Sequence, residues 1–374
     1  MPLSDGGEGL TQALVHATAG TLHNVETVDA IGRPITAQFG FLGNNHASCI
    51  LHTAVVELAS ASGLERVSPA DRNALSASTF GTGLLIRAAI DAGANRIVLG
   101  LGGSATTDGG TGLAHALGFR FLDTAGHDIP LGGGSLVNLE RIDDSEVPDF
   151  VKNVPIVLAC DVTNPLTGPE GAAHVFAPQK GANTAQVELL DQGLANLAHA
   201  IMQYNGRDIE RIPGTGAAGG TGAAGGTGAA GGTGGGMLGL FNTTVRPGIE
   251  LVLDLTHGRE ACAWADVIIT GEGSIDSQTP YGKVPSGIAK LAQSQGKPTI
   301  AIGGTVTRDP HTIEALNETG IVATFGIAPG PADLATLIAN TERNVEITCA
   351  AIAGTLRVAS ATAVTAATSP CESA

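Results

Sequence analysis

Aromatic residues are scarce in this chain: one Trp, two Tyr and nine Phe make up 3% of its 374 residues. That scarcity excludes an interior built on ring packing, so Ala, Val, Leu and Ile must fill it. Charged residues are also few, at 14%, and one-sided, with 19 Lys and Arg against 35 Asp and Glu for a formal charge of −16. A surface of that sign repels phosphate polyanions at long range, which argues against nucleic-acid and anionic-membrane partners. The five cysteines, Cys49, Cys160, Cys262, Cys349 and Cys371, show no CxxC spacing. They fit neither a zinc site nor a disulfide framework, and reduced thiols in a cytoplasmic protein are expected. The opening MPLSDGGEG lacks a basic segment followed by an apolar one, and Arg357 interrupts the Ala/Thr-rich C-terminal part, so neither a secretion signal nor a membrane span is expected. No HExxH pattern occurs among the ten histidines, so His16, His115, His174 and His311 read as surface or packed groups. No GxSxG elbow is present from which acyl transfer could start.

Glycine, by contrast, is abundant at 54 positions, and 43% of the chain is apolar. The length exceeds what one core usually serves, so two domains are expected. From His23 to about Leu58 the runs HNVETVDAIG, PITAQFGFLG and CILHTAVVELA, separated by turn residues, predict an antiparallel meander. After Phe80 the pattern becomes helical in GTGLLIRAAIDAG, then a buried strand in RIVLGLGG, with a second strand in PIVLACD. Val187, Leu189, Leu190, Leu194, Leu197 and Ile201 recur on one face and predict a helix over 184–204. Beyond a glycine repeat, TGAAGGTGAAGGTGAAGGTGGG at 215–236, strands in DVIITGEG, PTIAIGG and IVATFGI alternate with helices in VPSGIAKLAQSQ and DPHTIEALNETG. That alternation predicts a parallel, doubly wound sheet.

Five segments concentrate glycine with polar side chains. In SDGGEG, which carries Asp5 and Glu8, free N–H groups at a helix start favour an anion, although an ordinary N-cap reads equally well. In RIVLGLGGSATTDGGTGLAHALG an apolar strand runs into Gly100, Gly102, Gly103 and Ser104, the arrangement of a phosphate cradle. The same stretch matches G-x-G-x-x-A formally, with Asp123 about twenty residues on, where a dinucleotide fold keeps its ribose carboxylate. Against that match, Thr107, Asp108, Gly109 and Gly110 intervene before helical spacing starts at Leu113. The third segment, Cys160 to Ala182, places Asp161 at a strand end with Asn164 and Lys180 in reach. The fourth, TGEGSIDSQTPYGK, offers Glu272, Asp276 and Lys283; Ser277 and Val284 stand where a Walker A loop needs Gly and Ser or Thr, so a P-loop is rejected. The fifth places Arg72 before a helix start, where it could hold a carboxylate bidentately. Together the loops supply the cations, N–H donors and carboxylates that phosphoryl transfer requires.

PLSDGGEG, ASTFGTG, LGLGGSATTDGG, ACDVTNPLTGPEGAA, FAPQKGA and ITGEGSIDSQTPYGK, in this order over nearly the whole chain, resemble the bacterial glycerate kinases of type I, the D-glycerate 2-kinase class. The resemblance implies a flavodoxin-like parallel sheet domain built from both chain ends (1–18 and 258–374) and an inserted mixed α/β domain (19–257), with the repeat at 214–236 a mobile loop and the active site in a cleft. It implies phosphoryl transfer from MgATP to D-glycerate, giving 2-phosphoglycerate and ADP, by a cytoplasmic enzyme. On this reading Gly102, Gly103, Ser104 and Lys283 surround the ATP phosphates, and Asp161 or Asp276 binds Mg and accepts the hydroxyl proton. Arg72 or Lys180 takes the glycerate carboxylate, and Asp5 and Glu8 are alternatives to either aspartate.

Compared with that family, the chain starts inside the expected second strand, so a first strand, a helix and a lysine- and serine-bearing loop are expected upstream of a mis-called start codon. The first repeat unit, Thr215 to Gly220, matches the family's own turn, and the later copies read as in-frame duplication. A folded, inactive nucleotide-binding remnant and a nicotinamide-dependent dehydrogenase using Gly100 to Ala105 stay open as alternatives, as does association with a second copy of the chain.

Overall fold

The computed structural model describes residues 4, 7–43, 52–160, 164–210, 229–280 and 283–368. They fall into two compact units that divide between Gly258 and Arg259. The first unit carries β1 (Thr21–Val28), β2 (Pro34–Phe41), β3 (Thr53–Glu57), β4 (Arg96–Gly100), β5 (Arg120–Leu122), β6 (Arg141–Asp143), β7 (Ile156–Ala159) and β8 (Thr243–Arg246). Six of them form one sheet in the order β1-β2-β3-β4-β7-β8, while β5 and β6 pair separately.

The sheet changes character where its sequence does. β1 and β2 are antiparallel and joined by a tight turn, in which Asp29 Oδ1 accepts the Ile31 and Arg33 amides at 3.0 and 2.9 Å, as an Asp that opens a turn does. β2 pairs β3 antiparallel, completing the expected meander. From β3 onward every pairing is parallel, and β3 and β7 are buried at every residue, which fits strands covered on both faces. One face carries the main core, with Leu85, Ile86 and Ile90 of the Phe80–Asp91 helix and Leu190, Leu194 and Leu197 of the Thr184–Asn205 helix. The other face packs Val55, Val98 and Val157 against Leu10 and Leu14 of the Leu10–Thr18 helix and Leu251 and Val252 of the Gly248–Leu255 helix. Residues 10–18, expected with the C-terminal half, thus pack within the first unit.

Local chemistry sets the long helix. Asn183 Oδ1 accepts the Gln186 amide while Gln186 Oε1 accepts the Asn183 amide, a reciprocal cap, and Gly206 ends the helix in a left-handed conformation.

The repeat is a packed element where it is described. Residues 211–228, including the unit Thr215 to Gly220, lie outside the described residues. From Ala230 to Gly232 the backbone is left-handed (φ 52, 67 and 88°), and helical turns follow to Leu240. Gly231 to Gly236 are buried, so the loop expected over 214–236 is a fixed part of the unit in its last stretch.

The second unit holds β9 (Ile268–Ile275), β10 (Thr299–Val306) and β11 (Ile321–Gly326), all parallel, in the order β11-β10-β9. The Val284–Ser294 and Pro310–Glu318 helices make the crossovers. Each starts with Pro in its first turn, and Asp309 caps the second by accepting the Thr312 amide at 2.9 Å. Ile275, Ala289, Ala301, Leu316 and Ile321 form the core between sheet and helices. The Leu334–Ala339 and Thr341–Thr368 helices follow. Among the described residues no helix is long and apolar enough to cross a membrane.

Candidate active site

The most heavily built loop follows β4. The apolar strand ends at Gly100, and the next helix begins only at Thr111, so ten residues, Leu101 to Gly110, separate them. A dinucleotide fingerprint starts its helix inside the glycine pattern, and this loop does not. Asp123 is committed elsewhere too: its Oδ1 accepts the Ala125 and His127 amides at 2.9 Å, closing its own turn. The first part of the loop is pinned to residues 62–64. Leu64 N donates to Gly103 O at 2.7 Å and Ala105 N to Ser62 O at 2.9 Å, while Gly103 takes φ 71°, which favours glycine. Ser104 is buried, and its Oγ accepts the Thr106 amide at 3.0 Å.

Asp108, which the sequence analysis treated only as an intervening residue, organises the second part. Its Oδ2 accepts Thr79 N and Thr79 Oγ1, both at 2.8 Å, and Gly112 N at 3.2 Å; its Oδ1 accepts Gly110 N at 3.2 Å. The carboxylate thereby ties the starts of the Phe80–Asp91 and Thr111–Ala116 helices together. Asp108 is fully buried, and burial raises its pKa although these donors pull it down. The ASTFGTG and LGLGGSATTDGG motifs are, in this respect, two halves of one brace.

Lys180 enters the same turn. It is 2% exposed, and its Nζ donates to Thr106 O at 2.6 Å. Burial lowers its pKa to about 7, partly opposed by the nearby Asp108 charge. Lys180, expected as an alternative to Arg72 for the glycerate carboxylate, thus meets a main-chain carbonyl here. Arg72 sits beside it, with Nη1 on Gln179 O at 3.0 Å, while its Nε is buried with no hydrogen-bond partner among the described residues.

At the Leu10–Thr18 helix start, the sequence reading left open an anion site or a plain cap. The structure supplies a protein anion: Glu57, buried at the end of β3, accepts Gly9 N at 3.1 Å and Thr11 N at 2.6 Å. Glu57 was missed because nothing in TAVVELA marks a strand-end glutamate as a partner for amides 48 and 46 residues away in sequence. Glu8 lies at the surface beside Gly103, and partial desolvation, with the Glu65 and Glu57 charges nearby, raises its pKa. Asp5 and Asp161 lie outside the described residues.

The second unit carries Asp276 and Lys283 in the segment after β9. Asp276 Oδ1 accepts the Gln278 amide at 2.9 Å; this bond, the Ser274 hydroxyl and the Lys283 charge hold its pKa below the usual carboxylate value. Glu272 Oε1 accepts Thr279 Oγ1 at 2.6 Å. The following helix starts at Val284 with Pro285 in its first turn, so no hydroxyl stands at the Walker A position, in keeping with the rejected P-loop. The structure thus gathers Gly102, Gly103, Ser104, Arg72, Lys180 and Glu8 in the first unit, and Asp276 and Lys283 in the second. Among the described residues no group of three or more His, Cys, Asp or Glu could hold a metal ion.

The glycerate kinase family model matches this chain over residues 1–225 and 223–357. A glycerate kinase of Bacillus subtilis (strain 168) is 42% identical over 359 residues, covering 96% of this chain and 88% of the relative. A glycerate 2-kinase of Escherichia coli (strain K12) is 38% identical over 327 residues, covering 87% of this chain and 80% of its own. A crystal structure described as a candidate glycerate kinase 2 from Salmonella typhimurium LT2 superposes with a TM-score of 0.81 at 41% identity, covering 96% of this chain and 88% of that one. Matches of this extent show that the chain belongs to the glycerate kinase family, a family of small-molecule kinases.

Proposed function

We propose that this kinase transfers the γ-phosphoryl group of ATP to D-glycerate, giving 2-phosphoglycerate and ADP. The observation that carries the reading is the turn Gly102–Thr106 at the carboxyl end of a buried parallel strand, pinned from several sides in a chain of this family. Ligands of open α/β sheets collect at such strand ends, and a rigid glycine turn offers main-chain N–H groups to phosphate without reorganisation.

In the transfer, a glycerate hydroxyl oxygen forms the new bond to the γ-phosphorus as the bond to the β–γ bridging oxygen breaks. ADP leaves, and the hydroxyl proton passes to a carboxylate. We assign the Gly102–Ser104 turn and Lys283 to the phosphates, and Asp276 or Asp161 to the proton. Asp276 suits that role because the Gln278 amide, the Ser274 hydroxyl and Lys283 keep it ionised at neutral pH. Arg72, with its buried Nε unpartnered among the described residues, is assigned to the glycerate carboxylate. Asp5 and Glu8 of the SDGGEG segment remain acidic alternatives. Mg²⁺ usually takes only one or two protein carboxylates beside phosphates and waters, so an ionised Asp276 fits as a ligand, and the ion would neutralise charge on the phosphates.

The test is ADP release on mixing the chain with MgATP and D-glycerate, with the product position read by phosphorus NMR. ADP release that requires D-glycerate, with a 2-phospho product, is expected. If ATP raises the melting midpoint but D-glycerate elicits no ADP, the chain binds nucleotide without this transfer and the proposal fails.

A further inference from the structure

We infer that Lys180 is a positioning residue for the Gly102–Thr106 turn and makes no contact with glycerate. The inference rests on reading that turn as the phosphate cradle. Its ground is a hydrogen-bond chain. Lys180 Nζ donates to Thr106 O at 2.6 Å, and Ser104 Oγ reaches the same carbonyl at 3.3 Å while accepting Thr106 N at 3.0 Å. One buried lysine amine therefore holds the carbonyl on which the cradle serine is itself oriented. All three residues are buried. A lysine amine this enclosed needs a polar partner, and the carbonyl supplies one.

The last repeat copy meets the same loop. Gly109 N donates to Gly231 O at 3.0 Å, and a Cβ at Gly231 would overlap Thr106 O. Gly231 has φ 67°, so the contact needs glycine both for its backbone and for its missing side chain. Thr106 O is thus approached by Lys180 from one element and by the glycine repeat from another, and displacement of either neighbour should move the same cradle.

Three measurements test this. Acylation of the wild-type chain with an acetyl succinimidyl ester, read by peptide mass spectrometry, should leave Lys180 unmodified with or without D-glycerate. Lys180→Met, which keeps length but removes the donor, should raise the KM for ATP about tenfold or more while the KM for D-glycerate stays within about twofold, because a shifted cradle weakens phosphate binding. Amide hydrogen exchange over residues 102–107 should rise in the same variant. Should Lys180→Met fail to fold, Gly231→Ala presses on the same carbonyl and is expected to give the same split.

Acylation of Lys180 in the free enzyme that D-glycerate prevents would overturn the inference. So would a variant that raises the KM for D-glycerate with that for ATP unmoved, or one that changes neither kinetics nor exchange. If the cradle reading itself is wrong, exchange over 102–107 still rises in Lys180→Met while the KM for ATP does not, which separates the two failures.

Discussion

Asp108 and Asp276 both stand in polar, glycine-containing segments that follow a parallel strand, yet their surroundings are opposite. Asp108 is fully buried, its carboxylate is surrounded by protein donors, and burial raises its pKa. Asp276 is in the second unit, and its pKa is lowered by the Gln278 amide, the Ser274 hydroxyl and Lys283. A carboxylate so enclosed is part of the scaffold; one that stays ionised and reachable can meet a ligand. The difference separates two uses of the same residue type: the first carboxylate shapes a loop, and the second is available to act in one.

The sharpest way to break this comparison is to remove both carboxylates. Asp108→Ala leaves the Thr79 hydroxyl and the Thr79, Gly110 and Gly112 amides without their acceptor, and each buried unpaired group costs about 1–3 kcal/mol, so a total loss of about 3 kcal/mol or more is expected in urea unfolding. Asp276→Asn should instead leave the thermal midpoint within about 2 °C and lower kcat by about 100-fold, the usual scale for a lost proton acceptor. Equal stability losses in the two variants would erase the distinction.

A pH titration sharpens it further. Unfolded, Lys180 has the ordinary lysine pKa of 10.5; folded, it is at about 7. Between these values the unfolded chain holds a proton that the folded chain has released, so this group makes stability rise as pH rises from about 7 toward 10.5 and has no further effect below 7. The Asp108 shift has the opposite sign, since a raised folded pKa makes stability fall as pH climbs above the unfolded value of 3.8. Lys180→Met should therefore flatten the pH dependence of the melting midpoint above neutrality.

The smallest effect is expected from the repeat. Deleting Thr221–Gly232 removes the packed Ala230–Gly232 by number, yet it yields the same sequence as deleting Thr215–Gly226, because the units are identical. The remaining AAGG then precedes TGGGMLGL at the same spacing. Kinase turnover within about twofold of the parent chain is expected, since the chain length between two fixed ends itself costs little. A large loss would show that the added copies matter beyond their last turn.

Much of the fold was legible in the sequence. Two-residue alternation and turn chemistry announced the meander, and helical spacing with caps announced the Thr184–Asn205 helix and the alternating second unit. The candidate site was legible only as loops. LGLGGSATTDGG and FAPQKGA stood out, but the reading could not choose between Arg72 and Lys180 and passed over Asp108 and Glu57, because a charged residue in a motif looks the same whether it meets substrate or main chain. Burial and partner are properties of residues far apart in the chain, as the 74 positions between Thr106 and Lys180 show.

The sequence by itself determined the local elements, the parallel second unit and the family, since periodicity, caps and ordered motifs are written along the chain. Only the tertiary structure decided that the last repeat copy packs against the loop after β4 and which charges have protein partners. Gly231 is held because the Thr106–Gly109 segment lies against it, and Lys180 and Asp108 meet protein partners because folding closed them away from water.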